Sequence, residues 1–450
     1  MERMLRGRTA PSARFLVACL SAGLALAAVS AGGQSSAPQA SGQRAKTVPD
    51  PEAAALNDLL ARAQSDIANN DYAAAADAYQ QYLAKKPDDA AVHFELGYAY
   101  TALQKTADAR VEFKRATELD PSNGDAFLNL GLSEVDSDPA AAVAAIRTSV
   151  ELKPGDAHPK FMLGAALDRS GKVPEAIEQY KAAEAIDDSD PALHMALGTA
   201  LLRTSHAAEA EPQFRAAIAL EDDPQDHLQL AECLVAERKM DEAGTEFTAY
   251  LKANPRDSET RFAFAGMLIG ATKYEQAIAA LAPVSGAGPD ALRAWKLRYE
   301  ALSGLTRNDE AIAALLKAEA IDPGDREIHA SLGDSYSAKK DFPSAEREYL
   351  AVLKLSPEDP KTIAAVVSTA YSANDYAGTL RAIDLQGQKP PLPLVSMFIR
   401  ASCYDKLGQQ KEALAAYEAF LTANKDQTSD MYFASAQRAR DLRKELGNRK

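Results

Sequence analysis

The chain has 450 residues and a formal net charge of −14, with 64 acidic against 50 basic residues. An acidic chain without a basic stripe argues against nucleic acid as the main partner. Length alone would suggest about three domains, but an internal period overrides that prior and points to one elongated body without a central core.

The first residues carry Arg3, Arg6, Arg8 and Arg14, residues 15–28 are apolar, and Val29-Ser30-Ala31 offers small side chains. That layout predicts a secretory signal peptide over residues 1–31, cleaved after Ala31. The apolar run is too short and too rich in Ala and Gly to favour a permanent span. A retained anchor, or lipidation of Cys19 behind Leu16-Val17-Ala18, are the alternatives. Residues 32–52, rich in Gly, Ser, Ala, Gln and Pro, predict a flexible linker.

From residue 53 to residue 425 one pattern recurs. Its clearest copy has Leu332-Gly333, Tyr336, Phe342, Ala345, Tyr349 and Pro357 in two bursts of helical spacing, broken at Lys339-Lys340-Asp341. That predicts an antiparallel helix pair. Leu96-Gly97, Tyr100, Ala109, Phe113, Ala116 and Pro121 make another copy, and Leu163-Gly164 and Leu197-Gly198, 34 residues apart, open two more. In chain order eleven copies are expected, over residues 56–87, 90–121, about 124–154, 157–188, 191–222, 224–255, 258–289, 292–323, 326–357, 360–390 and 394–425. The first lacks the Leu-Gly pair, as a terminal repeat facing water can. The third is one residue short near residues 136–139, and the tenth is worn, with Thr379 in an Ala place. Residues 430–446 read as one amphipathic helix, so residues 426–450 are expected to form a capping helix and tail.

This period and spelling resemble the tetratricopeptide repeat (TPR). The resemblance implies an all-α, right-handed superhelical solenoid of about eleven TPR helix-turn-helix repeats with a C-terminal capping helix. Gly97, Gly131, Gly164, Gly198 and Gly333 are expected where paired helices come closest, with Ala109, Ala176, Ala210, Ala311 and Ala345 opposite them. Tyr and Phe are expected to fill the gap to the next repeat, and the closing Pro to end the second helix.

The candidate chemistry thins out quickly. His93, His194, His227 and His329 share one place in their repeats, the large-residue slot held elsewhere by Leu59, Phe127 and Trp295, and read as packing residues. One His per repeat, without a partner one turn away, does not make a zinc site. His158 and His206 read as surface residues. The acidic turns at residues 187–190 and 221–223 lack the ligand spacing of a calcium loop. Cys233 and Cys403 occupy equivalent places five repeats apart and read as small buried thiols rather than a bridge. No phosphate loop, nucleophile elbow or zinc-protease motif is present. No catalytic residue, metal ligand or cofactor is therefore expected.

What remains is surface recognition. In the family, the first helices of successive repeats line a concave groove. Placed on that pattern, Phe94, Tyr98, Leu128, Leu132, Phe161, Met195, Leu228 and Phe262 fall on or near the groove, with Arg169 and Arg203 among them. Such a strip suits an extended peptide or a partner helix. The resemblance and the leader together imply an exported, non-enzymatic scaffold binding a protein or peptide partner, periplasmic or secreted, in cell-envelope assembly. Membrane contact would come only through an uncleaved leader or a partner. The alternative is an accessory subunit organising an envelope enzyme or polysaccharide-export complex. The sequence leaves the oligomeric state open.

Overall fold

The computed structural model describes residues 51–387 and 391–447. The expected signal peptide lies outside the described residues, as does the expected linker up to residue 50. The last two linker residues, Pro51 and Glu52, open the first helix instead. Among the described residues there are 23 α-helices and no strand. They form eleven helix–turn–helix pairs and one final helix.

The chain divides into two compact units at Tyr250. The first holds α1 (Pro51–Ala68) with α2 (Tyr72–Leu83), α3 (Ala90–Ala102) with α4 (Thr106–Leu119), and α5 (Gly124–Glu134) with α6 (Pro139–Leu152). It continues with α7 (Ala157–Arg169) and α8 (Val173–Glu184), α9 (Pro191–Arg203) and α10 (Ala207–Leu220), and α11 (Pro224–Ala236) and α12 (Met240–Ala253), the division falling in the last turn of α12. The second holds α13 (Ser258–Gly270) with α14 (Tyr274–Leu281), α15 (Pro289–Gly304) with α16 (Asn308–Ile321), and α17 (Arg326–Ala338) with α18 (Phe342–Leu355). It ends with α19 (Pro360–Ser372) and α20 (Tyr376–Gln386), α21 (Leu394–Lys406) and α22 (Gln410–Ala423), and α23 (Asp430–Gly447). Within each unit the second helix of one pair packs on the first helix of the next, as α4 does on α5 and α18 on α19, and α23 packs on α22.

The turn inside each pair has one construction. Asn70, Gln104, Gly171, Ser205, Arg238, Thr272, Thr306, Lys340, Asn374 and Gly408 all have positive φ, one in each pair except the third. The next residue reaches back to a carbonyl five residues earlier, as Lys105 N–H does to Tyr100 (2.9 Å) and Arg307 N–H to Leu302 (3.0 Å). This satisfies carbonyls that the helix end would otherwise leave open. The third pair, one residue shorter, turns without a left-handed residue, and Ser137 and Asp138 both donate to the Glu134 carbonyl (3.0 and 2.7 Å). Many helix starts are capped by an Asp carboxylate or an Asn amide oxygen, among them Asp71, Asp89, Asn123, Asp138, Asp257 and Asp375. Pro121, Pro154, Pro255, Pro323 and Pro357 each stand two residues past a second helix and keep it from running on.

The glycines mark the close approach, but the aromatic partner is not where the sequence placed it. A Cβ on Gly97 would meet the Phe113 ring at 2.7 Å, and a Cβ on Gly164 would meet the Tyr180 ring at 2.5 Å. Gly198 with Phe214 and Gly333 with Tyr349 repeat the arrangement. The ring therefore lies over the glycine of its own pair, correcting the expectation that it fills the gap to the next. The reason is the missing side chain: glycine opens a pocket one ring deep, and the aromatic on the facing helix is the nearest group that can fill it. In the third pair, Ile146 and the Ala142 carbonyl oxygen crowd Gly131 instead. Ala109, Ala176, Ala210, Ala311 and Ala345 are all buried.

The four repeated histidines are buried or half-buried, as a packing role requires, and they also join polar groups. His93 donates through Nε2 to the Pro87 carbonyl (3.0 Å) and sets Nδ1 on the Glu112 carboxylate (2.6 Å). His194 joins the Asp188 carbonyl (2.8 Å) to the Gln213 amide oxygen (2.7 Å). His227 joins the Asp222 and Glu246 carboxylates (2.8 and 2.5 Å), and His329 joins the Pro323 carbonyl to Glu348 (3.0 and 2.9 Å). In α13, Arg261 does the same work, donating to the carbonyls of Pro255 and Ala280 (3.1 and 3.0 Å). Each clamp ties the turn before a pair to the pair's second helix. Burial alone would pull the His227 imidazole down, but its hydrogen bonds to Glu246 and Asp222 and their charges outweigh this and hold it above its ordinary value.

Three outcomes follow from these contacts. Gly131→Ala adds a better helix former, worth about 1 kcal/mol, yet its Cβ would stand 2.8 Å from the Ala142 carbonyl. Net destabilisation of about 1–3 kcal/mol is expected, read by urea unfolding. Thr306 holds φ at 59° with a β-branched side chain, so Thr306→Gly is expected to stabilise by about 0.5–1 kcal/mol, read as a raised Tm. The raised His227 value stabilises fully below the unfolded value of about 6.5, and that contribution is lost as pH rises through the folded value. Between about pH 6 and pH 9 the parent chain is expected to lose more unfolding free energy than His227→Gln.

Candidate protein-binding face

On a helix, residues three apart share a face. The residue three before each close-approach glycine therefore turns with it toward the second helix. Phe94 packs at a tilt against Phe113 with ring centroids 5.8 Å apart, and Phe161 against Tyr180 at 5.9 Å. Leu128, Phe161, Met195 and Leu228 in the first unit are buried, and so is Phe262 in the second, where the Arg293 guanidinium lies 4.6 Å from its ring centroid. The expectation that these five side chains line an open groove is corrected, because they are packing residues with almost no surface to offer. Phe94 is half-buried.

The residue one after each glycine lies about a quarter-turn round the helix and stays accessible. Tyr98, Leu132, Ala165 and Thr199 hold this place on α3, α5, α7 and α9, and all are half-buried. Tyr98 meets Tyr72 edge-on at 6.4 Å. Burial, with Tyr72 and Glu95 nearby, raises its phenol above the ordinary value, so it remains a neutral donor at neutral pH. One turn further on, Arg169 and Arg203 are exposed. Arg169 pairs with Asp136 in the turn after α5, and Arg203 of α9 pairs with Asp168 of α7 at 2.5 Å. Exposed pairs like these contribute about 0–1 kcal/mol each; they align the face more than they stabilise it. The first unit thus presents an apolar patch at Tyr98 and Leu132 that passes into an Asp–Arg ladder.

The second unit has its own concavity, lined by Leu292, Lys296, Leu297, Tyr299, Leu315 and Ile328 among others. The Lys296 ammonium is held by Asp325 (3.1 Å) and Glu327 (2.5 Å).

The other sequence candidates have structural occupations. Asp120 and Asp187 accept from the backbone and hydroxyl of Ser122 and Ser189, closing turns, which holds both carboxyls below the ordinary range. Asp190 and Asp223 cap α9 and α11. Cys233 and Cys403 are free and buried, and burial pushes their thiols up to about 12 and about 11, away from reactivity. His206 is exposed, whereas His158 is half-buried, a correction to its surface reading, and burial lowers its imidazole value. Sequence reasoning missed Arg298, which is buried where most repeats carry Leu. It donates to the carbonyls of Leu281 (2.6 Å), the last residue of the short helix α14, and Val284 (3.0 Å), just beyond it. The brevity of the apolar run at residues 274–281 was the available signal. Among the described residues no helix is long and apolar enough to cross a membrane.

Family models for the tetratricopeptide repeat match residues 60–124, 102–157, 195–258, 268–326 and 300–360. A TPR repeat model matches residues 164–205, and a further tetratricopeptide repeat model matches residues 395–426. Among solved structures, MamA from Desulfovibrio magneticus is 20% identical, covering 37% of this chain and 96% of that one at a TM-score of 0.36. YrrB, described as a TPR protein with an unusual peptide-binding site, is 16% identical over 41% of this chain and 96% of its own, at 0.38. The C-terminal part of a TPR repeat-containing protein from Cytophaga hutchinsonii is 16% identical over 60% and 98%, at 0.41. No curated protein matches the chain. The repeated helix pairs and the family models spread along them make this chain an all-α solenoid of the tetratricopeptide-repeat family, a scaffold for protein–protein interaction.

Proposed function

We propose that this chain is a non-catalytic scaffold that binds a protein or peptide along the first helices of its N-terminal repeats, and that it works in the assembly of a bacterial-type cell envelope. The observation that carries the binding reading is the accessible run Tyr98–Leu132 continued by Arg169 and Arg203, on four successive first helices. A flat apolar patch beside fixed charges matches a peptide that buries one or two side chains and lies in a set direction along the ladder. The Arg residues arrive already paired, so a partner would have to share or displace Asp136 and Asp168; this favours a ligand carrying its own carboxylates. The envelope role rests on residues 1–31, read as an export signal, together with analogy to the family.

The test is capture from the envelope fraction of the encoding organism. One bait is the parent chain; the other carries Tyr98→Ser, Leu132→Ser and Arg203→Glu, with its helicity checked by circular dichroism. A partner held by the parent and weakened by tenfold or more in the variant, equivalent to about 1.4 kcal/mol, is the expected result. Equal capture by both baits would place binding elsewhere and overturn the assignment of this face.

A further inference from the structure

The ninth repeat differs from the other clamped repeats in one respect. The His329 ring lies between α16, α17 and α18 and is buried, as is Glu348. Its Nε2 donates to the Pro323 carbonyl at 3.0 Å, which leaves Nδ1 as the nitrogen facing the cluster. Nδ1 is 2.9 Å from Glu348 Oε2 and 3.7 Å from Glu319 Oε1. The three donor atoms all lie within 4.8 Å of one another. The other oxygen of Glu348 accepts from Arg347 Nε at 3.1 Å, which orients the carboxylate.

The other clamps show what is unusual. His93 and His227 each have a carboxylate on the second helix, Glu112 and Glu246, but the place ten residues before the histidine holds Leu83 and Ala217. His194 has Glu184 in that place, at 3.7 Å, but faces the neutral amide of Gln213. In the ninth repeat alone of these four, both places are carboxylates, Glu319 and Glu348. Glu319 is half-buried and Arg347 meets only the far oxygen of Glu348, so two carboxylates facing one imidazole nitrogen favour a cation between them. Either the imidazole takes a second proton, or Nδ1 presents its lone pair to a metal ion.

We propose that Glu319, His329 and Glu348 form a binding site for one divalent transition-metal ion, with zinc the best match. One imidazole and two carboxylates are an accepted donor set for zinc, with bonds of about 2.0–2.2 Å. Tetrahedral bonds of that length put donor atoms about 3.3–3.5 Å apart; the two distances to Nδ1 are 2.9 and 3.7 Å and the two carboxylate oxygens lie within 4.8 Å of each other, so the carboxylates would close on the ion as it binds. The hydrogen bond from Nε2 to the Pro323 carbonyl is the outer-shell contact that fixes a ligating histidine's tautomer. Three protein ligands leave a fourth position for water. The ion would join the end of the eighth repeat to both helices of the ninth, locking that junction.

The full chain, stripped with chelator and then titrated with zinc chloride by calorimetry, is expected to bind one ion with an accompanying rise in Tm. Glu319→Gln preserves shape and leaves the His329–Glu348 contact in place, so it should fold; it and His329→Gln are each expected to weaken binding by at least tenfold. His227→Gln, which removes the comparable clamp of the sixth repeat, is expected to bind zinc as the parent does. Cobalt(II) should give the absorption bands of a tetrahedral site in the parent and lose them in Glu319→Gln. Absence of saturable zinc binding, or binding unchanged in Glu319→Gln, would overturn the proposal.

Discussion

A glycine on one helix facing a ring on the next is the contact on which each regular repeat depends. Glycine in a helix costs about 1 kcal/mol against alanine. Removing its side chain lets Phe113, Tyr180, Phe214 or Tyr349 sink onto the bare backbone of its own pair. Burying an aromatic of that size stabilises by about 1.5–3 kcal/mol, so the exchange is favourable only when the ring is opposite. The same contact orients the first helix. With the glycine facing inward, the residue three before it also faces inward, and the residue one after it is left toward solvent. Packing in this way decides which residues of the first helix stay accessible.

A solenoid has no central core, so polar groups at the junctions need local partners. The histidine and arginine clamps supply them. Each takes a carbonyl or carboxylate from the turn between pairs and an acceptor on the following second helix. Charged pairs one repeat apart, such as Lys181 with Glu209, Arg215 with Glu242 and Arg307 with Glu275, run along the outside. The clamps are sheltered and the outer pairs are not. The clamps therefore carry most of the electrostatic consequence at each junction, while the outer pairs mainly keep successive repeats aligned.

Much of this was legible in the chain. The eleven pairs follow from the recurrence of Gly, Ala, Tyr or Phe, and Pro, and even the one-residue shortening of the third turn was visible in the spelling. The left-handed turn residues were not, because Gln104, Arg238 and Lys340 carry no turn signature. Their conformation is imposed by two helices that must meet across a fixed gap. The candidate face was only partly legible. Of the residues placed on or near it, Tyr98 and Leu132 are half-buried and Arg169 and Arg203 exposed, whereas Leu128, Phe161, Met195, Leu228 and Phe262 look alike in sequence but are buried.

The sequence by itself determined the period, the helix pairs and the scarcity of catalytic motifs, because each of these is written in residues within one repeat of each other. Only the tertiary structure decided which apolar residues are accessible, where the rings sit, and that Glu319 and Glu348 meet at His329. Those outcomes depend on rotation of a helix about its axis by roughly 100° per residue and on contacts between separate helices. Glu319 and Glu348 lie ten residues before and nineteen after His329. No local spacing rule links such positions; the stacking of one pair on the next does.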